Sequence, residues 1–148
     1  MTIRDFASRA ALVGAVLLAG AGAAGAADLT VEAAGIRSEE GSLFVAVYDE
    51  ARAFRADRID KAFAVAGMAI PGERVRLTFH DVPAGAYAVS LFHDENNNGD
   101  LDMRRGVPEE GYGISNSTDR FDEPDFARAA VTVDGDDRTV RVTVHYLD

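Results

Sequence analysis

The strongest constraint on the fold is a two-residue rhythm. Across Arg74–Val82, the apolar residues Val75, Leu77 and Phe79 alternate with Arg74, Arg76, Thr78 and His80. That pattern predicts a strand with one face buried and the other in water. Pro83-Ala84-Gly85 then turns the chain into Tyr87–Phe92, which is apolar on both faces, as is Ser42–Asp49. Two-sided apolar strands belong in the middle of a sheet. Asp28–Ala34, Ala62–Ile70, Ala130–Val133 and Thr139–Tyr146 supply further short strands, the last with Val140, Val142, Val144 and Tyr146 inward. Ala51–Asp60 is a polar, arginine-rich connection with room for a helical turn, while Pro71-Gly72 and Gly135-Asp136-Asp137 mark turns. About seven short strands with little helix predict an all-β fold, an antiparallel β-sandwich of one domain.

One segment breaks the rhythm. Between Asp94 and Asp125 no strand pattern is evident, and ten acids face only Arg104, Arg105 and Arg120. A long structureless loop in a compact domain is uncommon and is usually functional or disordered. Its first nine residues, Asp94-Glu95-Asn96-Asn97-Asn98-Gly99-Asp100-Leu101-Asp102, place oxygen-bearing side chains at alternate positions with a glycine in the sixth. Calcium takes about 6–8 oxygen ligands from such a spacing, and the glycine supplies a turn with positive φ. The predicted ligands are Asp94, Asn96, Asn98 and Asp102, with Asp100 contributing its backbone carbonyl. Arg105 stands where a helix-flanked calcium loop has its bidentate glutamate. The loop is therefore not an EF-hand, and the completing carboxylate is left open among Glu109, Glu110, Asp119, Asp122 and Asp125. Asparagine, aspartate and glycine also dominate plain turns; the nine-residue alternation in register favours the cation.

Residues 1–27 read as a secretory signal peptide. Arg4 and Arg9 precede the apolar run Ala10–Ala19, and Ala24-Gly25-Ala26 is a small-residue cleavage site, with cleavage after Ala26 or Ala27. The run is too short and too rich in alanine and glycine for a membrane span. Gly20, Gly22 and Gly25 match a dinucleotide-binding fingerprint, but within a segment expected to be removed. The remainder, residues 28–148, carries 13 basic and 24 acidic residues and no cysteine. An exported chain without disulfides must hold together by packing alone. A net charge of −11 excludes nucleic acid and anionic membranes as partners and favours cations. The expected location is periplasmic or secreted.

Other chemistry is thinly represented. His80, His93 and His145 could hold a transition metal, but their spacing favours ordinary surface histidines. His93 and Asp94, adjacent in a strand, point to opposite faces and cannot pair as base and orienter. No cysteine nucleophile and no G-x-S-x-G motif is present, and Ser115 and Ser117 have no catalytic signature around them. Acidic pairs such as Glu109-Glu110 are expected by chance in so acidic a chain. Gly111-Tyr112-Gly113 presents an aromatic that either stacks on a ligand or packs against the sandwich.

The blocks Asp81–Val89, Phe92–Asp102, Gly106–Gly113 with Ser115-Asn116, and Pro124-Asp125-Phe126 resemble the bacterial "domain of unknown function 2141" family. The resemblance spans nearly all of residues 28–148. It implies an exported β-sandwich, immunoglobulin-like or transthyretin-like, and brings no activity or ligand with it. The resulting expectation is a non-catalytic binding or structural module with a calcium-stabilised acidic loop. Its alternatives are an extracytoplasmic enzyme acting on carbohydrate or envelope material and a periplasmic transition-metal binder. An envelope or extracellular ligand is expected, of unknown identity.

Overall fold

The two-sided strands lie where burial on both faces requires, inside a sheet. The computed structural model describes residues 25–118 and 123–147. The signal segment falls almost wholly outside that range. Strand β2 (Ser42–Tyr48) pairs antiparallel with β3 (Ala64–Ala69) on one side and with β5 (Gly85–Asp94) on the other. β5 is long enough to hold two strands on its far edge. β8 (Gly111–Ile114) takes Ser90–His93, and β9 (Val131–Val133) takes Gly85–Tyr87. The second sheet has the order β10 (Arg138–Thr143), β1 (Ala27–Ala34), β4 (Arg74–Val82). Its β1–β10 pair is parallel, a departure from the all-antiparallel expectation. Antiparallel hairpins can arise from neighbouring segments, but β10 reaches β1 from the far end of the chain, and the single-sequence rhythm cannot give that direction.

The sheets share one core. Leu29, Val31 and Val142 from one sheet meet Leu43, Val45, Val47 and Val89 from the other, all at most 1% exposed. Val144 continues β10 by donating its N–H to Ala34 O, and His145 then exchanges backbone hydrogen bonds with Tyr112. The C-terminal strand therefore stitches the two sheets along one edge. Gly111 and Gly113 make this approach feasible. A Cβ on Gly113 would lie 2.4 Å from Thr143 O, and one on Gly111 would strike the rings and methyls of Tyr146 and Val144.

The outer faces differ. On the three-stranded sheet, Glu32 lies among Arg74, Arg76 and Arg141, and the Thr30 and Thr78 hydroxyls share a 2.9 Å hydrogen bond. On the five-stranded sheet, a second apolar cluster covers the outer side. Tyr48 and Ala88 pack beneath Ala53 and Phe54 of α1 (Ala51–Arg55), and Phe126 and Ala129 of α2 (Phe126–Ala129) join them.

The supposedly strandless segment holds three strands. β6 (Met103–Arg104) and β7 (Val107–Pro108) form a small hairpin, and β8 joins the main sheet. The hairpin turn is Arg105-Gly106, both with positive φ (54° and 82°), the geometry that two-residue hairpins favour. β8 escapes sequence detection because glycine is depleted in strands generally; here its glycines are present for close approach rather than for propensity.

Candidate functional site: the acidic loop and the cleft beside it

β5 delivers two consecutive residues to opposite faces. His93 points into the core and Asp94 to the outer side, both essentially buried (0% and 1% exposed). Asp94 organises the loop that follows. Its Oδ1 accepts from Asn98 N at 3.1 Å and its Oδ2 from Gly99 N at 2.8 Å. Asn96 Oδ1 accepts from Asn98 N, and Asn98 Oδ1 from Asp100 N, each at 2.9 Å. These are successive turns in which a side-chain oxygen captures the backbone two residues on, the reason that asparagine and aspartate suit tight loops. Gly99 takes φ +85°, as the spacing predicts.

Asp102 closes the loop. Its carboxylate accepts from Asn96 Nδ2 at 2.6 Å and from Asn98 Nδ2 at 3.0 Å. Glu110 then ties the two ends together, accepting from Glu95 N at 2.9 Å and from Asp102 N at 3.1 Å. It is 4% exposed. Burial pushes its carboxyl above the usual range, the two backbone N–H groups oppose that, and the charges of Asp102 and Asp94 add to the rise.

Of the predicted ligands, Asp94, Asn96, Asn98 and Asp102 come together in one hydrogen-bonded loop, and Asp100 joins through its backbone N–H. Glu110 is the member of the open set of acids that reaches the loop. Glu109 instead pairs with Arg104 at 2.8 Å, and Asp125 caps α2 by accepting from Ala127 N and Arg128 N. Asp119 and Asp122 lie outside the described residues. Arg105 is exposed at the hairpin turn. The Asn96 and Asn98 amide nitrogens face Asp102, and among the described residues no three His, Asp or Glu side chains are set to hold a metal.

The histidines need one correction. His93 is a core residue, not a surface one. Its Nε2 lies 2.7 Å from Glu40 O, an acceptor only, so Nε2 carries the proton. Nδ1 shares a 2.7 Å hydrogen bond with the Tyr146 hydroxyl, and that oxygen accepts Arg37 N–H at 3.2 Å. Arg37 lies over the Tyr146 ring and forks onto Glu95 at 2.7 and 2.8 Å, clamping the loop's first turn. The signal was present in β5, where His93 shares the inward phase of Val89 and Leu91. His80 is exposed and paired with Asp28 on the other sheet, away from His93.

A cleft of about 310 Å³ opens beside the loop on the outer face of the five-stranded sheet. Tyr112 lies in its wall, next to Phe92 across the β5–β8 pair. Leu101, Met103 and Pro108 bring the acidic loop to one side, and Phe54 and Ile59 close the other.

A family model described as "Uncharacterized protein conserved in bacteria (DUF2141)" matches residues 31–141. The chain belongs to this family. The match spans both sheets, the loop and the cleft. Comparison with curated proteins gives no match. A solved fimbrial assembly protein from Parabacteroides distasonis aligns with 12% identity and a TM-score of 0.44. The alignment covers 82% of this chain and 53% of that one, so this chain spans about half of that protein's length. Among the described residues no helix is long and apolar enough to cross a membrane.

Proposed function

We propose that this family member is an exported, non-catalytic module whose acidic loop takes up a calcium ion, stabilising the cleft wall that the loop forms. The observation that carries the reading is the position of Glu110. It brings a third carboxylate to a loop already built on Asp94 and Asp102, in surroundings where burial and like charge disfavour its ionised form. A divalent cation would relieve that penalty. Binding would displace the Asn96 and Asn98 amide N–H contacts on Asp102, while the amide oxygens, each accepting one backbone N–H, keep a second lone pair for the cation. The finer fold description, an immunoglobulin-like or transthyretin-like sandwich, belongs to the same proposal and is supported by two sheets sharing one core. Cleavage after Ala26 would keep β1 whole.

Calcium titration of the chelated protein tests the loop. With two neutral asparagines among the ligands, a Kd of roughly 10⁻⁴–10⁻³ M is expected. At a hundredfold excess over Kd, linkage adds about 2.7 kcal/mol, or roughly 10 °C in Tm for a domain of this size. Glu110→Gln should abolish most of the shift. A Tm indifferent to 10 mM calcium would falsify the assignment.

A further inference from the structure

We propose that the cleft on the outer face of the five-stranded sheet binds a small amphiphilic cation, an aromatic or alicyclic body carrying a single amine. This goes beyond the calcium reading and does not depend on it. Cross-strand rows shape the cleft. Phe44, Phe92 and Tyr112 stand side by side across β2, β5 and β8, with Phe44 and Phe92 stacked at 5.3 Å and 22°. The adjacent row is Val65, Ala46, Ser90 and Ile114. The small side chains of Ala46 and Ser90 leave a trough beside the tall aromatic row. In the row beyond, Tyr48 and Ala88 are roofed by α1, so the trough ends against Phe54. The cavity of about 310 Å³ lies at the lower end of the range that holds small molecules.

Charge selects the head group. Among the described residues, Asp57 is the one charged side chain lining the cleft. It sits just past α1 in the left-handed region (φ 46°) and accepts the Tyr48 hydroxyl at 3.0 Å. Burial of Tyr48, reinforced by Asp57 itself, holds that phenol protonated as a donor. The carboxylate is thereby fixed at the rim of an apolar, aromatic trough. An ammonium group gains from Asp57 and from the ring faces, whereas an anionic head meets both Asp57 and a chain of net charge −10.

The test is a matched pair of probes, 1-naphthylmethylamine and 1-naphthylacetate, titrated at low salt into the purified protein by calorimetry, with and without chelator. The amine should bind one to one, about fivefold or more tighter than the acetate. Asp57→Asn keeps an acceptor for Tyr48 and should erase that preference at unchanged Tm. Ser90→Phe fills the trough and should abolish binding of both probes. Should that variant not fold, methyl chemical shifts decide instead. Val65, Leu101 and Ile114 should respond to the amine, and Val31 and Val142 in the inter-sheet core should not. Equal affinity for the two probes, a preference that survives Asp57→Asn, or shifts away from the cleft would each overturn the proposal. So would a concentration-dependent dimer that buries the cleft and leaves the amine unbound. Loss of calcium response with amine binding intact would sink only the loop assignment.

Discussion

The outer faces of the two sheets have opposite solutions to the same problem. On the three-stranded sheet, threonines and arginines meet water directly, with Glu32 half-covered among the arginines, and no further layer is needed. On the five-stranded sheet, the outward residues Phe44, Ala46, Tyr48, Ala88 and Phe92 are apolar, so the chain must cover them. It does so in pieces, with two short helices at one end and the acidic loop at the other. The cover leaves a gap, and the gap is the cleft. A solvated face adds little beyond solubility, whereas an apolar face covered by separate segments creates concavity, where binding sites arise.

Truncation should expose this contrast most strongly. Phe54 is 2% exposed and packs edge-on against Tyr48 and Phe126. Phe54→Ala should cost about 3–5 kcal/mol, read by urea denaturation. Thr78→Ala on the other outer face should stay within about 0.5 kcal/mol. Comparable losses at the two positions would mean that the helical cover is not a second core at all.

Much of this architecture was legible in the sequence, because period-two patterning is set by burial alone. Arg74–Val82 is a strand with the boundaries its alternation gives, and the two-sided runs are the central strands β2 and β5. The nine-residue loop was legible for a similar reason, since the turns formed by Asp94, Asn96 and Asn98 are local in the chain. What the sequence concealed was long-range. Nothing local shows that Gly111 and Gly113 are there to admit β10, that Glu110 returns to Asp94, or that β1 and β10 run parallel. His93 was obscured by residue type, because a histidine reads as polar until its phase in the strand is counted.

A smaller effect should come from the seam where the helical cover meets the sheet. Ser115, 1% exposed, fills the gap between β8 and β9 along β5. Its Oγ accepts from Val89 N at 2.9 Å and donates to Ala129 O at 2.7 Å. Ser115→Ala strands the buried Val89 N–H and leaves Ala129 O with only its longer contact from Asn116 Nδ2 at 3.3 Å, so a loss of about 1–3 kcal/mol is expected. Amide exchange at Val89 should speed up first. If Val89 stays protected and stability is unchanged, the serine is a spacer rather than a splice, and α2 is held by packing alone.

The smallest effect is also the most discriminating, since it sets two glutamates against each other. Glu32, on the solvated face, is held below its usual value of 4.5, chiefly by its hydrogen bond from Arg141 and then by the charges of Arg141, Arg76 and Arg74. Glu110, beneath the acidic loop, is held above 4.5 by burial. A lowered pKa means that the folded state binds fewer protons, so the Glu32 contribution is present above pH 4.5 and is lost as pH falls below it. A raised pKa reverses the sign. Ionised Glu110 weighs against folding at neutral pH, and that penalty is relieved as pH falls through its raised value toward 4.5. The difference in Tm between wild type and Glu110→Gln should therefore shift in favour of wild type on acidification above 4.5. The difference between wild type and Glu32→Gln should hold constant in that window and shrink only below it. Saturating calcium should remove the Glu110 effect and leave that of Glu32 untouched, because the cation would compensate only the covered carboxylate. If calcium changed both slopes alike, it would be acting through general screening of an acidic surface, and the two outer faces would be electrostatically equivalent.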